Sequence, residues 1–251
     1  MKNFKKVLAL VLVVALSVSA GIMGTLAYLQ DEDSDVNVMT LGNVSIKQHE
    51  YERVEGTIAT IDGRDSYVLR PFTQGKPLYP AVGQIDYDAT QVRMTQVESY
   101  GSMEVFSFKN AQDKFVTVEN TGKNDAYIRT LVAIEIGSTN GALIGNSYHS
   151  TWTKTEIGMI TIDGNNYILF EYVYEGGQLS DGTWRHENGI LPAGDTSYPN
   201  LSQVYISSEA TNEDMVALDG NGNGTLDILV VSQAVQVDGF ADAETALNAG
   251  F

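Results

Sequence analysis

The sequence predicts an all-β protein, and three observations carry that expectation. Composition is the first: 24 Gly and 13 Tyr accompany many Val, Ile and Thr residues, whereas Lys and Arg together number 15. Second, several segments alternate apolar and polar residues with period two. Third, dipeptides that tolerate positive φ recur between those segments, as tight hairpin turns require. With 251 residues and 43% hydrophobic content, the chain is long enough to bury a proper core.

The first segment is of another kind. Lys2, Lys5 and Lys6 form a basic region, residues 7–20 form an apolar run of Leu, Val and Ala, and small residues follow up to Thr25-Leu26-Ala27. This is the pattern of a secretory signal peptide over residues 1–27, with cleavage between Ala27 and Tyr28. The alternative is an uncleaved anchor, because the stretch 7–29 is long enough to cross about 30 Å of hydrocarbon. Tyr28-Leu29-Gln30-Asp31-Glu32-Asp33 then marks an abrupt change to water-exposed chain.

Residues 28–48 read as an N-terminal segment. A polar stretch leads into one strand, Val38-Met39-Thr40-Leu41-Gly42-Asn43-Val44-Ser45-Ile46, with Val36 and Val38 on one side. Such a segment could serve as a donor strand. Residues 49–251 read as one domain, because no Pro-rich or Ser-rich linker interrupts them.

Inside that domain, Asp62-Gly63, Asn140-Gly141, Asp163-Gly164, Asp181-Gly182, Asn188-Gly189 and Asp219-Gly220 predict a meander of hairpins. Thr60-Ile61-Asp62-Gly63 and Thr161-Ile162-Asp163-Gly164 read as two similar hairpins. Residues 114–119 alternate. In residues 127–136, Ile128, Thr130, Val132, Ile134 and Ile136 share one face, while Arg129, Leu131, Ala133 and Glu135 make a mixed opposite face. That mixture fits a strand in a two-sheet sandwich. Phe240, Ala243 and Leu247 recur at helical spacing, which predicts one short C-terminal helix with Gly250 as its stop.

The formal charge is −17, and removal of the first 27 residues would leave 12 of the 15 basic residues against all 32 acidic ones. Such a surface repels nucleic acid. The chain has no cysteine, which excludes disulfides, thiolate metal sites and a cysteine nucleophile. His49, His149 and His186 are widely spaced and no His-Glu-x-x-His helix is present; His186-Glu187 runs into the turn Asn188-Gly189-Ile190. Neither a Gly-x-Ser-x-Gly elbow nor a phosphate loop occurs, so no residue is assigned a catalytic role.

One segment carries a metal hypothesis. Asp219, Asn221, Asn223, Thr225 (by its backbone carbonyl) and Asp227 put oxygen donors at positions one, three, five, seven and nine of a loop with Gly224 at six, a weak Ca²⁺ candidate. Val230 stands where a bidentate glutamate would complete the loop, and a strand follows, so a plain hairpin turn is the competing reading. No other cofactor is expected.

The run Gly24-Thr25-Leu26-Ala27-Tyr28-Leu29-Gln30-Asp31, followed by Asn37-Val38-Met39-Thr40-Leu41-Gly42-Asn43-Val44, resembles the N-terminal signature of proteins processed by the SipW-type signal peptidase, the TasA biofilm-fibre and camelysin group. Further pieces are similar: Gln74-Gly75-Lys76-Pro77-Leu78-Tyr79-Pro80, Val116-Thr117-Val118-Glu119-Asn120-Thr121-Gly122, Leu191-Pro192-Ala193-Gly194-Asp195 and Gln233-Ala234-Val235-Gln236-Val237-Asp238-Gly239-Phe240. Together with the strand pattern, the resemblance implies a jelly-roll β-sandwich. It further implies a secreted protein of the cell surface or biofilm matrix, with a SipW-type signal peptidase as a partner and membrane contact during export. It also implies self-association: the freed N-terminal strand of one subunit would insert into the sheet of the next, and head-to-tail addition would build a fibre.

Two other classes stand beside this one. A camelysin-like metallopeptidase is the first, opposed by the missing zinc motif. The second is a jelly-roll module that binds glycan or protein on an aromatic platform drawn from Tyr148, Trp152, Tyr172, Tyr174 and Trp184. Against it, the alternation of Phe170, Tyr172 and Tyr174 is what one face of any strand shows.

Overall fold

Alternating β-branched and aromatic residues form two stacked sheets in the computed structural model, which describes residues 38–41, 44–61, 64–72, 82–92, 103–178, 184–222 and 224–251. The first sheet runs in the order β1 (Val38–Leu41), β15 (Ile228–Gln236), β7 (Ala126–Glu135), β10 (Asn165–Tyr174) and β9 (Trp152–Ile162), with β13 (Ile190–Leu191) pairing the start of β7. The second runs β5 (Met103–Lys109), β4 (Val82–Val92), β3 (Arg64–Pro71), β2 (Ile46–Ile61), β6 (Gln112–Asn120), β14 (Leu201–Ile206) and β8 (Ile144–Ser147). A small pair, β11 (Gly177–Gln178) and β12 (Trp184–Arg185), lies apart. Pairing is antiparallel except at β1–β15 and β3–β4.

Inward-facing side chains of the two sheets meet in one cluster. Ile128, Val132, Ile134, Phe170, Tyr172, Val230 and Ala234 come from the first sheet, and Ile46, Val116, Val118, Leu201 and Val204 from the second. Each large apolar side chain removed from water contributes about 1.5–3 kcal/mol. This contact makes the protein a two-layer, mostly β structure, as the period-two pattern requires.

All ten positions of β7 are buried. On its outer, mixed face, Leu131 and Ala133 cluster with Ile162, Tyr167, Leu169, Leu229 and Val231 of the strands beside it. Near its start, Tyr127 and Val235 pack under Ala246 and Leu247 of the C-terminal helix α2 (Ala243–Gly250). Arg129, on that same face, is tolerated because its charge is partnered: Nε donates to Gln233 Oε1 at 2.5 Å and Nη1 to Glu171 Oε1 at 2.9 Å.

Several local expectations change. The meander gives way to repeated crossing between sheets, since β6 and β7 are consecutive in sequence yet belong to different layers. Period two identifies which side chains face inward, and the pattern is the same whichever layer a strand joins. Of the turn dipeptides, Asp163-Gly164 joins β9 to β10 as a tight hairpin with φ of 52° and 84°. Asn140-Gly141 instead leads into β8, Asn188-Gly189 lies in a single 3₁₀ turn over Glu187–Gly189, and Asp219-Gly220 ends a helix. Asp62-Gly63 and Asp181-Gly182 lie outside the described residues.

The strand expected over residues 38–46 is two strands, β1 in one sheet and β2 in the other, so the chain changes layer there. The expected boundary between residues 48 and 49 falls inside β2. The C-terminal helix forms as expected, with Asp242 accepting from the Thr245 amide at 2.7 Å, although Gly250 is its last residue and not a stop beyond it. A second helix, α1 (Asn212–Leu218), forms in addition: Thr211 and Asp214 cap each other's backbone, a signal present in Thr211-Asn212-Glu213-Asp214. No helix among the described residues is long and apolar enough to cross a membrane. The stretch 7–29, with Ala27 and Tyr28, lies outside the described residues.

Candidate functional site

Four groups of residues were singled out by chemistry, and the fold separates them. The acidic loop connects α1 to β15, so it is neither a hairpin turn nor the start of a helix–loop–helix unit. Asp219 closes α1, and Gly222 (φ 66°) and Gly224 (φ 77°) carry the chain around a left-handed bend that disfavours other residues. The Gly224 amide donates to Asp219 Oδ2 at 2.8 Å.

The loop docks on a residue that the sequence reading did not pick out. Glu135, fully buried at the end of β7, accepts from Asn221 Nδ2 at 3.1 Å through Oε1 and from the Asp227 amide at 3.0 Å through Oε2. Burial pushes the Glu135 carboxyl above the usual carboxylate range, with the charges of Asp227 and Asp219 adding to the rise and backbone hydrogen bonds from Asp227 and Asn221 opposing it. Asn221 also reaches Asp227 Oδ2 at 3.4 Å, while Thr225 Oγ1 lies 3.5 Å from Asp227 Oδ1. Asn223 lies outside the described residues. Among the described residues, no group of three or more His, Asp and Glu side chains is arranged to hold a metal ion. Through its bonds to Glu135, the loop ties α1 and β15 to the end of β7. The sequence signal for Glu135 was an acid on the mixed face of a long apolar strand.

Each histidine has its own surroundings. His49 Nε2 lies 2.7 Å from Glu119 Oε2 and its ring stacks on Tyr51. His186 bridges Tyr174 Oη at 2.7 Å and Asp195 Oδ2 at 2.9 Å from a backbone with φ of 52°. His149 stacks on Tyr198 at 4.2 Å, with Nδ1 3.0 Å from Thr151 Oγ1.

Burial pushes the His149 imidazole down from 6.5 to about 4. Its ring is neutral in the folded state, while the unfolded chain takes up the proton first. The contribution of this ring to stability is thus full above pH 6.5, falls as pH drops toward about 4, and changes no further below that. The loss reaches up to about 3 kcal/mol. Urea unfolding of His149→Asn between pH 7 and 4 is expected to show a shallower fall than the parent chain; equal slopes would contradict this.

The aromatic platform does not form from the residues proposed for it. Trp152, Tyr172 and Tyr174 are buried in the core, where Trp152 and Tyr174 meet edge to face at 4.8 Å. Tyr148 is 42% exposed and packs edge-on against Tyr172. The Trp184 side chain lies outside the described residues.

The last group is the N-terminal strand. β1 lies at the open edge of the first sheet, parallel to β15, with Val38 opposite Ser232, Met39 opposite Gln233, Thr40 opposite Ala234 and Leu41 opposite Val235. All four β15 residues are buried. At the other edge, β9 carries a bulge at Gly158 (φ 125°) and exposes Ile157 and Met159. Residues 28–37 of the expected donor segment lie outside the described residues. No family model matches the chain, and no curated protein or solved structure matches it.

Proposed function

We propose that this chain is a secreted structural protein of the cell surface or biofilm matrix, a jelly-roll β-sandwich whose copies join by exchange of the N-terminal strand. One observation carries the reading: β1 is four residues long and, among the described residues, sits at a sheet edge and pairs with one neighbour, β15. A short strand of this kind is held by few main-chain bonds, and its release uncovers the edge of β15. The β1 of a second copy would restore the same ladder, so exchange leaves the pairing intact and concentration decides the outcome. Cleavage between Ala27 and Tyr28 by a SipW-type signal peptidase frees that strand from the leader. The acidic composition, with its 32 Asp and Glu, keeps such a protein soluble until the strand engages.

The test uses the register. The chain has no cysteine, so Thr40→Cys with Ala234→Cys creates one disulfide across β1 and β15. In mature protein starting at Tyr28, denaturing gels are expected to show ladders of linked chains at high concentration, and negative-stain microscopy to show fibres. A version lacking residues 28–40 is expected to stay monomeric. Monomers closed by an internal disulfide at every concentration, with no fibres, would refute strand exchange.

A further inference from the structure

The two edge strands β8 and β9 belong to opposite sheets and bring Asn146 and Lys154 together. Lys154 Nζ donates to Asn146 Oδ1 at 2.8 Å, and the Tyr172 hydroxyl donates to the same oxygen at 2.9 Å. Two donors on one carbonyl oxygen draw electron density from the carbon it is bonded to. Asn146 Nδ2 is buried and has no hydrogen-bond partner. Buried amide groups are nearly always paired, so an orphaned one calls for an explanation.

The amine is placed in apolar surroundings. Nζ lies 3.9 Å from the centroid of the Phe170 ring, itself a core residue. Burial lowers the Lys154 pKa, opposed by the nearby Glu156 carboxylate, which enlarges the fraction of uncharged amine. Tyr172, by contrast, has its phenol pushed well above the ordinary range by burial, with Tyr148 adding to the rise, so it remains a hydrogen-bond donor. A nucleophile, a polarised carbonyl, a fixed donor for the oxyanion and an unanchored leaving nitrogen are thus held in one place.

We propose that Lys154 and Asn146 join in an intramolecular isopeptide bond that staples the two sheets together. The ammonium first loses one proton to solvent. The neutral Nζ then adds to Asn146 Cγ, Tyr172 Oη holds the negative charge that develops on Oδ1, and the Cγ–Nδ2 bond breaks. One Nζ proton passes to the departing nitrogen, which leaves as ammonia; a primary amine and a primary amide become a secondary amide and NH₃, with no oxidant or cofactor. The product links β8 to β9 covalently in a chain that has no cysteine to do so.

Intact mass and tryptic mapping of the folded mature protein decide the matter. The expected mass is about 17 Da below that of the unmodified chain, and trypsin is expected to leave residues 130–185 as one peptide, uncut after Lys154. Lys154→Arg and Asn146→Ala should each restore the full mass, and Tyr172→Phe should slow the loss measured over time after refolding. A cyclic imide at Asn146-Ser147 would also lose ammonia, but it would persist in Lys154→Arg and leave Lys154 open to trypsin. That pattern, or an unmodified mass in folded protein, would overturn the proposal.

Discussion

Trp152→Ala is expected to lower the unfolding free energy by about 4 kcal/mol, within the range for removal of a buried indole. Trp152 opens β9 and is 3% exposed, packed among the core residues shared by both sheets. Two losses combine. The cavity would deprive Tyr174 of the ring it meets edge to face at 4.8 Å. The Tyr198 carbonyl, which accepts from Trp152 Nε1 at 2.7 Å, would be left without that donor. Trp152→Phe separates the terms, because it keeps a ring and loses the N–H; a cost of about 1–2 kcal/mol is expected for it. Urea titration followed by far-ultraviolet circular dichroism measures both, and an alanine variant within 1 kcal/mol of the parent would show that the site collapses around the gap.

Gly137→Ala is expected to be of similar size, about 3 kcal/mol, for a different reason. Gly137 follows β7 with φ of 53°, a left-handed conformation that alone costs an alanine about 1 kcal/mol. A Cβ there would also overlap the Ala217 carbonyl oxygen and lie 2.8 Å from that of Leu218. These are backbone atoms at the end of α1, so they cannot swing aside as a side-chain tip can. The neighbouring Ser138 amide bonds the same Ala217 carbonyl at 2.9 Å, which means that relief of the clash breaks this bond as well. Hydrogen exchange should report α1 opening before the sheets do. Gly164→Ala makes the contrast: its φ is 84° but a Cβ there meets nothing within 4 Å, so about 1 kcal/mol is expected. Equal costs at the two positions would remove the steric argument.

Whether a feature was legible in the sequence depended on whether its cause was local. The β9–β10 hairpin was readable because Asp163-Gly164 satisfies its own turn geometry. The same holds for α2, whose apolar stripe and capping aspartate lie within a dozen residues. Both faces of β7 were readable as apolar and mixed, since period two is a property of one strand. Partners were not readable. Glu135 and the Asp227 amide are 92 positions apart, and nothing near either announces the other. The break between β1 and β2 was hidden because residues 38–46 keep a strand-like pattern across a change of sheet. Lys154 and Asn146 are eight positions apart, but they meet because their strands belong to opposite layers, and layer membership is a tertiary fact.

The parallel contact between residues 38–41 and 232–235 also governs when the protein can fold. Synthesis proceeds from the N-terminus, so β1 and β7 are made long before β15, the strand that lies between them. At ordinary elongation rates the delay between the end of β7 and the start of β15 is roughly ten seconds. Through that interval β7, buried on both faces in the finished protein, has no neighbour on one side. Closure dominated by such distant pairings is slow even once the chain is complete. The first sheet is therefore completed only once β15 is made, whereas β2 to β6 of the second sheet pair with one another and can come together well before it.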